Sequence, residues 1–193
     1  MMLRLKHIFA GFLRRWRACR SGIAATEFAF VAPVLILLFF GVVESADALA
    51  RSRQVALAVN TLADLASQEK NLLTSDADDL FNGVAQIVDD SGAPMDIRLV
   101  SVIIDPDGDP IVHWSRDNKG GEPYVEGAAF SALPTATLID PGASILVAEI
   151  SYTYSSAISK MVIPPINFEN SASRWPRRSM RVQLCTSSSN CTS

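Results

Sequence analysis

The side chains able to take part in chemistry lie in three places. In Ser21-Gly22-Ile23-Ala24-Ala25-Thr26-Glu27-Phe28 a single carboxylate, Glu27, opens a run without charge that extends from Phe28 to Val43. An ionised group at the threshold of a membrane-length apolar segment is expensive and marks a functional partner. The natural partner is the ammonium of a new amino terminus, made by peptide cleavage close by. The second place is Asp105-Pro106-Asp107-Gly108-Asp109. Carboxylates on a turn can supply oxygen ligands to calcium. An EF-hand does not follow, because the glycine is misplaced at 108, prolines interrupt the loop, and Arg116 stands where a bidentate glutamate would close the site. A solvated hairpin turn accounts for the same residues. The third place is Cys185 and Cys191, which bracket Thr-Ser-Ser-Ser-Asn near the C-terminus. In an oxidising compartment they would form a disulfide holding the tail beside the last strand; otherwise they are two thiols on a tail.

Catalysis has no obvious carrier. The two histidines, His7 and His113, sit in neither a metal nor a nucleophile motif, so no catalytic residue, metal or cofactor is expected. Cys19 lies among the basic N-terminal residues and should stay reduced. Arg174, Arg177, Arg178 and Arg181 form a local basic cluster, read either as a solvated face or as a contact for an acidic neighbouring subunit.

Charge orders the chain. Residues 1–22 hold six Lys or Arg and no acid, whereas residues 23–193 hold 11 Lys or Arg against 20 Asp or Glu, a net of −9. Basic flanks stay cytoplasmic, so the expected orientation is N-terminus in and acidic domain out. That acidity also disfavours nucleic acid as a partner. Residues 23–43 span roughly 30 Å as a helix, enough to cross the hydrocarbon core once. Pro33 inside this span should bend it.

Past the membrane the helical period continues through Val55, Val59, Leu62 and Ala66, and predicts one helix from about residue 23 to about 68. A second helix is expected from Ser75 as N-cap, with Asp76, Asp78 and Asp79 in its first turn and Leu80, Val84 and Ile87 as its apolar stripe. Asn71 to Thr74 would connect the two. After Pro94 the period becomes that of strands: Ile97–Ile104 and Ile111–Ser115 as a hairpin, Ser144–Tyr154 as the third strand, and Arg178–Cys185 as the fourth. Residues 117–142 read as a long surface loop. The fold class is therefore α+β: a long N-terminal transmembrane helix continuing into an amphipathic helix, then a small domain with an antiparallel sheet of about four strands. The expected segments are 1–22 (basic cytoplasmic leader), 23–43 (transmembrane helix), 44–92 (helical stalk and second helix) and 93–193 (periplasmic sheet region and tail).

The stretch from Arg20 to Leu35, RSGIAATEFAFVAPVL, resembles the class III signal of type IV pilins and looks like that of the TadE-like pseudopilins of the tight-adherence (Tad/Flp, type IVc) pilus system. The likeness reaches more loosely through Trp114-Ser115-Arg116 and Val147–Tyr154. It implies cleavage by a prepilin peptidase after Gly22, Ile23 as the mature first residue and Glu27 as the fifth-residue glutamate that takes part in assembly. It further implies retention in the inner membrane and work with other pseudopilins and the assembly machinery, as a minor component or initiator of an adhesive pilus. Phe28 stands where the Flp motif usually has tyrosine, and Ile23 replaces the phenylalanine of other type IV pilins, which leaves N-methylation open. TadE-like and TadF-like roles are not separated by these residues. The alternative is a membrane-tethered or secreted periplasmic binding or adhesive domain, either uncleaved or cut at Ala46-Asp47-Ala48 or Ala48-Leu49-Ala50 by a signal peptidase.

Overall fold

The structure, a computed structural model, describes residues 21–89, 93–133, 142–156 and 164–192. The basic leader up to Arg20, with Cys19, lies outside them, as do Asp90-Ser91-Gly92 of the expected helix stop. Helix α1, Ser21–Ser67, contains 47 residues and runs through Pro33. It is followed by strand β1 (Asn71–Leu73), helix α2 (Thr74–Val88) and strands β2 (Met95–Ile104), β3 (Pro110–Asp117), β4 (Ser144–Tyr154), β5 (Ile166–Arg174), β6 (Gln183–Ser187) and β7 (Asn190–Cys191). The chain divides into two compact units, Met1–Ala46 and Asp47–Ser193.

In the second unit the apolar stripe of α1 does what its period predicts. Val55, Val59, Leu62 and Ala66 are all buried, joined by Ala58 and Ala63. Burying a leucine such as Leu62 contributes about 2 kcal/mol. Helix α2 adds Ala77, Phe81, Val84 and Val88, while Leu80 and Ile87 are only partly buried at the margin of the same core. The expected stripe is thus correct at Val84 and one residue out elsewhere. Ser75 is not the N-cap: Leu73 precedes the helix without a side-chain cap, and Ser75 Oγ donates to Asp76 Oδ1 at 3.3 Å.

Four strands form an antiparallel sheet in the order β3-β2-β4-β5. Alternation along β4 places Leu146, Ala148, Ile150 and Tyr152 in the large core with the helices, and Ile145 and Val147 in a smaller cluster on the other face with Val100, Val102, Val112 and Phe130. In β3 the parity changes at a bulge. Ser101 pairs with Trp114 and Val102 with Val112, so His113 is the extra residue and Trp114 reaches the large core while Val112 faces the small one. Of the expected 117–142 loop, residues 134–141 lie outside the described ones; residues 118–133 carry no helix or named strand, and within them Tyr124 and Phe130 make an edge-on ring pair over the small core.

Two sequence expectations are corrected here. The fourth strand of the sheet is β5, not Arg178–Cys185, because β5 buries little and carries small and polar residues where a half-buried strand usually has Val or Ile. The expected fourth strand begins only at Gln183 and belongs to a separate sheet, β1-β6-β7. There Asn71–Leu73, expected as a connection, pairs in parallel with Gln183–Cys185.

Candidate functional site

Along the N-terminal part of α1 no large apolar side chain is buried. Ile23, Phe28, Phe30, Leu37 and Phe39 are among those turned to the outside, and the helix is long and apolar enough to cross a membrane. Such a continuous apolar surface needs lipid or another helix against it. Two of its hydroxyls are satisfied along the helix: Thr26 Oγ1 donates to the Ile23 carbonyl at 2.7 Å, and Ser45 Oγ to the Gly41 carbonyl at 2.7 Å. Hydroxyls bonded within their own helix add no unpaired donor in hydrocarbon. Pro33 takes one N–H out of the ladder.

Gly22 and Ile23 occupy the first turn of α1, where Gly22 has open space around it. Four residues on, and so one turn along the same face, lies Glu27. It is exposed and has no ion-pair partner among the described residues. Phe28 beside it is also exposed. The structure therefore brings Ile23 and Glu27 onto one helical face, with nothing among the described residues covering either.

Residues 22–64 match the family model described as TadE-like protein. No curated protein matches the chain, and no solved structure does. The TadE-like segment opens at Gly22, takes in Ile23, Glu27 and Phe28, and ends three residues before α1 does.

The last third of the TadE-like segment is held by polar ties as well as by its apolar stripe. Arg51 Nη1 donates to the Val88 carbonyl at 2.7 Å, Arg174 Nη2 to Asn60 Oδ1 at 2.8 Å, and the Arg177 guanidinium pairs with Asp64. The Arg177 backbone N–H also donates to the Ser67 carbonyl at 2.8 Å, satisfying one acceptor at the C-terminus of α1. Arg181 Nε donates to the Gly142 carbonyl at 2.6 Å. Three of the four arginines read as a solvated face or a subunit contact are thus engaged inside the chain, and Arg178 is exposed with no bonded partner among the described residues. Nothing local in the sequence announces these ties, because Arg177 and Asp64 stand 113 residues apart.

The remaining candidates have structural uses. Asp105 Oδ1 accepts the backbone N–H groups of Asp107 at 3.0 Å and Asp109 at 2.8 Å, an Asx turn that lets Gly108 take its positive φ of 95°. Among the described residues no group of His, Cys, Asp and Glu is placed to hold a metal ion. His113 is buried at the bulge, its Nδ1 3.4 Å from Ser101 Oγ. Cys185 and Cys191 are joined by a disulfide that links β6 to β7, with Cys185 buried.

Proposed function

We propose that this protein is a pseudopilin of a Tad/Flp type IV pilus, a minor pilin-like component matured by prepilin peptidase after Gly22. The observation that carries the reading is the TadE-like match beginning at Gly22, on a helix whose apolar surface is bare and whose one early carboxylate is Glu27. Hydrolysis of the Gly22–Ile23 bond would leave an ammonium on Ile23 and detach the six basic side chains that favour retention on the cytoplasmic side. The freed helix then leaves the lipid for a bundle of pilin helices. Glu27 pairs with the ammonium of a neighbouring subunit, having first been within reach of its own.

In this reading the protein sits in the inner membrane with its N-terminus cytoplasmic and residues 93–193 periplasmic, until it is drawn into the fibre. The oxidising side suits the Cys185–Cys191 bridge. The helix continuing through Ala46–Ala50 also weighs against a signal-peptidase cut there, since Tyr154 donates to Asp47 at 3.5 Å and Ala48 packs against the core.

The test is the N-terminal residue of the membrane-fraction protein, determined by mass spectrometry in cells with and without prepilin peptidase. A peptidase-dependent start at Ile23 is expected. A start near Asp47 or Arg51 would replace the reading with a secreted domain, and an intact leader with a plain membrane anchor.

A further inference from the structure

The domain from Asp47 onward carries two exposed surfaces of opposite character. One is a depression of about 330 Å³ beside the C-terminal turns of α1 and the first turns of α2. Leu65 and Leu80 give it apolar walls, and Gln68, Glu69, Asp76 and Asp79 line its polar margin. Glu69 and Asp79 have no ion-pair partner among the described residues. The other surface lies between β5 and β6, where Trp175 is 42 % and Met180 64 % exposed, with exposed Arg178 between them in sequence.

Scattered exposed apolar residues need no explanation. These two surfaces differ from scatter because they are complementary and adjoining. Tryptophan and arginine are the side chains that dominate interface centres, and an acid-edged apolar depression is what such a pair would fill. Asp64 borders both surfaces: Gln68 Nε2 donates to it at 3.1 Å on the side of the depression, and Arg177 pairs with it on the side of the basic segment. The basic segment is also scarce chemistry in this chain, since residues 174–181 hold four of the 11 Lys or Arg that follow the leader.

We propose that the two surfaces are the halves of one contact between copies of this chain, Trp175 and Met180 of one copy entering the depression of a second while Arg178 faces Asp79 and Glu69. Because the surfaces lie side by side, a single two-fold axis engages both pairs at once and closes the assembly as a dimer. The patch is small, and anchoring both copies in one membrane supplies the effective concentration that a small patch lacks. The contact goes beyond the pseudopilin reading and needs only that the apolar part of α1 stay attached, which a cut after Gly22 and an intact leader both allow.

The experiment uses the full chain in membranes, with Cys19→Ser as background. Two differently tagged copies are co-expressed, one carrying Arg178→Cys and the other Asp79→Cys, and mildly oxidised. A disulfide-linked band bearing both tags is expected at about tenfold the yield from Arg53→Cys paired with Asp107→Cys, two exposed positions away from the contact. In a second measurement without added cysteines, Asp79→Arg should cut co-purification of the two tagged copies about tenfold by setting like charges together, and adding Arg178→Asp should restore it. Equal yields from the two cysteine pairs, or co-purification indifferent to Asp79→Arg at wild-type membrane levels, would overturn the proposal whether the N-terminal residue proves to be Met1 or Ile23.

Discussion

Trp114 donates its indole N–H to the carbonyl of Val182, 68 residues later, at 2.8 Å, and both residues are buried. The bond ties the central sheet to the approach of β6, and it exists because the bulge at His113 turns Trp114 toward the large core. Trp114→Phe keeps an aromatic ring but strands the Val182 carbonyl away from water. A loss of about 2 kcal/mol in stability is expected from the unpaired acceptor and the lost volume, read by thermal or urea unfolding of the purified full chain in detergent. An unchanged midpoint would mean that another donor takes over the carbonyl.

Tyr152 sets a pH limit on the same domain. Burial, then the hydrogen bond its hydroxyl donates to Asp89 Oδ2 at 2.8 Å, pushes the phenol up to about 12. The folded state therefore favours the neutral phenol. Its contribution is full below the ordinary tyrosine value near pH 10 and is lost as pH rises through about 12. The unfolding midpoint should fall across that window, and Tyr152→Phe should flatten the fall. Tyr124, raised by burial and by Glu149, leaves a residual slope.

The disulfide closes a loop with a sequence separation of only 6. Chain entropy for so short a loop gives about 2 kcal/mol. Cys191→Ser is expected to lower stability by that amount, and a reducing agent should bring the wild type to the same midpoint. A variant as stable as the wild type would show that β6 and β7 hold together without the bridge.

Glu27 separates assembly from folding. It lies outside the unit that begins at Asp47 and touches no buried group, so Glu27→Ala should leave the unfolding midpoint and the membrane level unchanged. In the proposed bundle the same change leaves the Ile23 ammonium of a neighbour buried without a partner. At several kcal/mol for such a charge, incorporation into sheared pili should drop at least about tenfold. Immunoblots of the pilus and membrane fractions decide it, and equal incorporation removes Glu27 from the assembly step.

What the sequence made legible was local. The α1 stripe, the β2–β3 hairpin and β4 were readable because each repeats its apolar residues within a few positions. Gly22 to Phe28 stood out for the same reason, as one carboxylate against an uncharged run. Strand β5 escaped because its pairing with β4 supplies the order that Ser171, Ala172 and Ser173 do not advertise. Strand β1 escaped because three residues carry no period, and their partner lies at the far end of the chain. The arginines of 174–181 looked free because their acceptors, Asn60, Asp64 and the Gly142 carbonyl, are distant in sequence.

The parallel pairing of Asn71–Leu73 with Gln183–Cys185 bears on the order of events during synthesis. A strand near the start of the domain waits for one among its last residues, and the Trp114 indole waits for Val182. Contacts of such long sequence separation form late and slowly. A nascent chain halted before residue 182 would have its hairpin and helices but no lock, leaving the lower end of α1 open to proteases and chaperones. Val182 to Cys185 therefore act as a latch that can close only after the hairpin and both helices have been made.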